Sequence, residues 1–244
     1  MSPVVLSPFT TLLLGVLAPA AGQAQEAPSP APPDVTAMVR DAAFDPKTYF
    51  PSRYIRDRSI VRIAYTGDDY GWPVYSIAIA EGCLDGETIP RDDCASRLRA
   101  RMARAPAVPD AARPRLRGSR LVTRVKETGA GSPEEVRRAL GEMDLEWVEA
   151  DVRACPGALD ALARSAGAVW VPDAVAHPVP EDNMSGLVLH ADIVRVEIQQ
   201  YARLTAYSGW IAEGSPAAWA VEMAAALEPC WKPTPEPPPW RRPG

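Results

Sequence analysis

The chain has 244 residues, a net charge of −5 and 47% hydrophobic residues, enough to bury a core without relying on disulfides. The charge is segregated, with ten basic residues from Arg97 to Lys126. With four cysteines and two histidines, there are few parts for imidazole or metal chemistry.

Glu26 is the first charged side chain, and the apolar run ahead of it is densest from Thr11 to Ala18. That run has the length of a signal-peptide hydrophobic region, and Pro8 and Pro19 keep it short of the roughly 20 unbroken apolar residues of a spanning helix. Small residues at Ala18, Ala20, Gly22 and Ala24 suit cleavage near residues 20–24. Residues 1–24 are therefore read as a signal peptide. A retained anchor is the alternative, because no Lys or Arg precedes the run. Residues 25–33, rich in Ala, Pro and Ser, read as a flexible tether. The expected location is periplasmic or secreted, with no stable membrane span after cleavage.

The predicted domain covers residues 34–231. Ile60–Thr66 and Pro73–Ala80 alternate apolar and polar residues about a turn-like connector, which predicts a β-hairpin. Val61, Ile63 and Tyr65 share one face of the first strand, and Tyr75, Ile77 and Ile79 one face of the second. Asp92–Arg104 reads as a helix with Cys94, Leu98 and Met102 inward and Arg97, Arg101 and Arg104 on another face. Residues 106–114 are Pro-rich and offer a boundary between two subdomains. Leu121–Lys126 alternates as a strand would.

Ser132-Pro133-Glu134-Glu135 is the sharpest local signal: a Ser N-cap, Pro at the first helical position and Glu at the capping-box position. The helix it opens buries Val136, Leu140 and Met143. Leu145–Val152 predicts a strand, then Pro156–Ser165 a helix with Leu159, Leu162 and Ala166 inward. Ala168–Val171 is short and apolar. From Gly186 the period is two, with Val194, Val196 and Ile198 against Arg195, Glu197 and Gln199, and Ala202, Leu204 and Ala206 extending it. Ser215-Pro216 opens a last helix with Trp219, Met223 and Leu227 on one face. Residues 232–244 read as a Pro-rich disordered tail. The order of elements predicts an α+β fold, an antiparallel sheet with helices packed on one face, stabilised by disulfides.

Four cysteines allow three pairings. The favoured one joins Cys83 to Cys94 and Cys155 to Cys230, contributing on the order of 3 and 4.5 kcal/mol by loop entropy. The competing reading is a reactive Cys155 thiolate at a helix start, with His177 or His190 as base.

The carboxyl-terminal half resembles a family of exported bacterial proteins in Cys155-Pro156 opening a helix, in Pro216 three residues before Trp219, and in the closing Pro229-Cys230-Trp231. The resemblance implies the Cys155–Cys230 pairing and carries no activity.

Candidates for chemistry are scattered. His190 and Asp192 sit two apart on one strand face, as a base and its orienting acid would. Asp68 and Asp69 stand beside Tyr70 and Trp72, as in glycan sites, although turn chemistry also explains them. Between Arg97 and Lys126 Asp110 is the sole acid, so Arg97, Arg101 and Arg104 are candidate anion contacts. Without interleaved aromatics, nucleic acid is not an expected partner. The signatures of nucleotide-binding loops, serine hydrolases, zinc proteases and EF-hands do not occur, and no metal or cofactor is expected. The expected function is a non-catalytic binding or interaction module with an envelope protein or a polyanion as partner. The alternative is a cell-wall or glycan hydrolase using Asp68, Asp69, His190 and Asp192.

Overall fold

The computed structural model describes residues 32–50, 55–67, 71–83, 96–105, 117–165, 192–200 and 203–242. The first 24 residues, Asp68, Asp69, His177, His190 and the Cys83–Cys94 pairing fall outside the residues or side chains described.

Helix α1 (Val35–Ala43) begins at Asp34, whose carboxylate accepts from the Ala37 N–H at 3.0 Å. Then come β1 (Ile55–Gly67), β2 (Trp72–Cys83), β3 (Ser96–Arg104), α2 (Arg117–Glu127), α3 (Pro133–Gly141), β4 (Glu146–Asp151) and α4 (Ala158–Arg164). Strands β5 (Ile193–Gln200) and β6 (Arg203–Trp210), helix α5 (Pro216–Leu227) and the short β7 (Lys232–Pro233) complete the order. The seven strands form one sheet, ordered β6-β5-β1-β2-β3-β4-β7, and every pairing is antiparallel.

The fold is thus α+β as expected, but helices cover both faces. On one face α4 and α5 bury Ala158, Ala161, Trp219, Met223 and Leu227 against Val61, Ile63, Ile77, Ile79, Val194 and Val196. On the other, α1, α2 and α3 pack Val39, Leu121, Val125, Val136 and Leu140 against Ala78, Ala80 and Ala103. Small residues on that side of β2 and β3 let helices lie close. At Gly118 an added Cβ would run into the Pro73 carbonyl, so only glycine permits the contact of α2 with β2.

The hairpin, the α3 capping box and α5 match the expectations. Ser132 Oγ accepts from the Glu135 N–H, and Glu135 accepts from the Ser132 N–H at 3.0 Å. Ser215 Oγ accepts from Ala218 N–H at 3.1 Å to open α5. The disulfide Cys155–Cys230 ties the start of α4 to the end of α5, 75 residues apart.

Four expectations are corrected. Residues 96–104 form strand β3 instead of a helix. Leu98 and Met102 are four apart, a spacing that also places them on one side of a strand with Ala100 between them, and pairing with β2 and β4 decides the matter. Residues 121–126 lie in helix α2, because Leu121, Val122 and Val125 form a buried helical stripe of which the apparent alternation caught two points. Helix α4 turns Ala158 and Ala161 inward and leaves Leu159 46% exposed. The small faces admit α5 closely enough for Trp219 Nε1 to donate to Ala161 O at 2.6 Å. Residues 232–242, expected as a disordered tail, pack on the domain: β7 pairs with β4, and Trp240 is buried beside Trp147. Beyond the sheet pairing, buried aromatic area and the hydrogen bonds of Trp147 to the Glu236 carbonyl and of Arg241 to the Gly141 carbonyl account for that order.

The strands on either side of residues 106–114 belong to the same sheet.

Candidate binding groove

Helices α1–α3 cover the second face over β2, β3 and β4, and among the described residues no helix covers the same face of β1, β5 and β6. The open floor follows from strand alternation: residues that put Ile63, Val194 and Val196 into the core turn Arg62, Ala64, Arg195 and Glu197 the other way. Register places Arg62 opposite Glu197 and Ala64 opposite Arg195 on β1 and β5, and Glu197 opposite Ala206 and Arg195 opposite Ser208 on β5 and β6. The end of α1 and the Asp45–Lys47 turn rise along one side. Together they enclose a groove of about 600 Å³, in the size range of small-molecule sites.

Glu197 is the electrostatic centre of the floor, only 7% exposed at its side chain. Arg195 Nη2 donates to its Oε1 at 2.8 Å, Arg62 Nη1 to its Oε2 at 3.3 Å, and Lys47 Nζ stands 3.9 Å from Oε1. A carboxylate this buried is held by its cations. Arg62 Nε is buried with no acceptor among the described residues. Arg40 also lines the groove and has no ion pair among the described residues. Its guanidinium lies over Gly71, where φ is +63° and an added Cβ would stand 2.7 Å from Arg40 Nη1.

The expected site residues lie elsewhere. Asp192 sits just before β5, where its Oδ2 accepts from Tyr65 O–H at 2.6 Å. Tyr65 stacks on Tyr75 at 5.0 Å between ring centroids. Burial, reinforced by the charge of Glu228, raises the Tyr75 hydroxyl above the ordinary tyrosine range. Arg104 is engaged by Glu146 at 2.8 Å and by both oxygens of Glu228 at 2.9 and 3.0 Å. Burial works against its charge, and the two carboxylates outweigh that to raise its pKa. Arg101 is buried, with Tyr49 O at 2.9 Å, Glu236 at 3.1 Å, Glu149 at 3.5 Å and the Phe50 ring at 4.7 Å. Arg101 and Arg104 therefore spend their charge on internal carboxylates, and they lie on opposite faces of a strand. The Arg97 side chain lies outside those described. Among the described residues, no three His, Cys, Asp or Glu side chains converge as metal ligands.

Sequence reasoning missed Arg40, Lys47, Arg62 and Glu197 as a group. Their signal was the polar half of the alternation in β1 and β5, which a solvated strand face produces equally well.

No protein-family model, curated protein or solved structure matches this chain.

Proposed function

We propose that the protein is a non-catalytic, exported binding module, periplasmic or secreted, that engages its ligand on the open half of the sheet. The observation that carries the reading is the groove over β1, β5 and β6, where a sheet covered by helices elsewhere has, among the described residues, an uncovered polar floor around Glu197. Among the described residues, folding alone gains little from an uncovered face beside a buried carboxylate, since such a group costs stability unless its partners hold it.

Export is supported by the apolar amino-terminal segment together with the Cys155–Cys230 disulfide, a bond that persists in oxidising compartments. Among the described residues no helix is long and apolar enough to cross a membrane. Exported protein analysed by mass spectrometry is expected to begin between residues 20 and 25. An intact Met1 in processed envelope fractions contradicts the signal-peptide part.

The catalytic alternative is tested with cell-wall and glycan substrates using the wild type, His190→Ala and Asp192→Asn. The binding-module reading predicts indistinguishable behaviour of all three. Turnover that disappears in either variant overturns it.

A further inference from the structure

Resting on the reading of the groove as a binding site, we propose that its ligand is a small molecule bearing an anionic oxygen group, a carboxylate or a phosphate, on an apolar body. The polar groups of the floor are unequally committed. Glu197 is shared by Arg62, Arg195 and Lys47, so its charge is not available to hold a ligand cation. Asp45 accepts from the Lys47 backbone N–H at 3.0 Å, which engages one of its oxygens. Arg40, by contrast, lines the groove at a partly exposed position and forms no ion pair among the described residues.

Among the described residues, four cationic side chains line the groove against three carboxylates. Arg62, Arg195 and Lys47 share Glu197, which leaves Arg40 as the lining cation outside that cluster. A ligand oxygen in the groove would supply a counter-charge for Arg40, forming the charge-assisted hydrogen bonds that guanidinium groups make best. Phe44, Pro46, Ala64 and Ile193 add apolar wall, which an inorganic anion would leave wet and an organic body would cover. Among the described lining residues, a cationic ligand would meet four positive charges with two carboxylates of the rim to receive it, one already capping a turn.

The full chain is titrated with benzoate, its neutral isostere benzamide, benzylammonium and inorganic phosphate, following amide NMR shifts of residues 62–66 and 193–197. Benzoate is expected to move these amides and to bind about tenfold more tightly than benzamide, the worth of a charge-assisted hydrogen bond. Arg40→Gln is expected to weaken benzoate about tenfold by the same measure. Glu197→Gln, which releases Arg62 and Arg195, is expected to strengthen it. Arg40 lies at a partly exposed helix position, so its variant remains informative if Glu197→Gln fails to fold. Phosphate binding more tightly than benzoate, with the same loss in Arg40→Gln, assigns the anionic group as a phosphate. Benzamide binding as tightly as benzoate, or benzylammonium binding in preference, overturns the anionic ligand class and leaves the groove as a binding site. Amides unmoved by all four compounds overturn both.

Discussion

Arg101 Nη2 stands 3.1 Å from Glu236 Oε1, so a buried cation of β3 reaches a carboxylate 135 residues further along the chain. The pair fastens the carboxyl-terminal segment to the sheet. Around it, Trp147 Nε1 donates to Glu236 O at 3.0 Å, Thr234 Oγ1 to Glu149 at 3.1 Å, and Arg242 to the Thr48 carbonyl. The segment is a strap that closes one end of the second core.

Removing the cation leaves Glu149 and Glu236 without their shared partner. Both carboxylates are partly solvated, at 20% and 33% exposure, so the cost falls near the lower end for a broken buried pair. Arg101→Ala is expected to lose about 3 kcal/mol in urea unfolding. Unchanged stability would mean that the cluster contributes only geometry.

Trp240 is 4% exposed and meets Trp147 edge to face at 6.1 Å. Trp240→Ala is expected to cost about 3 to 5 kcal/mol, the range for deleting a large buried aromatic. Limited proteolysis should then cleave between residues 232 and 242, a stretch resistant in the wild type. Equal resistance in both proteins would contradict the strap.

What the sequence left illegible has a common origin. The β1–β2 hairpin, the Ser132–Glu135 capping box and the Ser215-Pro216 start of α5 were readable because each is determined within a few residues. Residues 96–104 were not, because Leu, Arg, Ala and Met favour helix, while strand pairing arises from partners distant in sequence, Ala78 and Glu149 on either side of Arg101. The strap was missed because its order depends on Trp240 finding Trp147, a contact without local signal. The groove was half legible: alternation gave Arg195 and Glu197 a shared face, while their meeting with Arg62 and Lys47 depended on the register of β1 with β5.

The disulfide closes a loop with a sequence separation of 75 residues, and the loop-entropy estimate is about 4.5 kcal/mol. Cys155→Ala with Cys230→Ala is expected to lose between about 2 and 5 kcal/mol. The measurement is denaturant unfolding of the double variant against the oxidised wild type. A loss well under 1 kcal/mol would show that packing of α4 on α5 holds that end without the bond.

Tyr49 and Tyr75 are raised above the ordinary value of 10.0, chiefly by burial. For each, the unfolded phenol ionises near pH 10 while the native one stays protonated. Their contribution is therefore fully present below pH 10 and is lost as pH rises above it, by about 1.4 kcal/mol per unit per group. Ultraviolet titration is expected to leave Tyr49 and Tyr75 un-ionised until the fold opens. Ionisation of either one near pH 10 in folded protein would contradict this.

Ligand engagement by the open half of the sheet is tested most directly by thermal unfolding of the full chain with a small-molecule library, comparing the wild type with Ala64→Trp. Ala64 lies on the groove floor opposite Arg195, and an indole there fills the site. A ligand at a hundred times its dissociation constant adds about 2.7 kcal/mol, which raises Tm by roughly 5 °C or more in a domain of this size. Stabilising ligands that act on the wild type and lose their effect in Ala64→Trp are the expected result. Ligands that stabilise both proteins equally would place binding elsewhere and contradict the account.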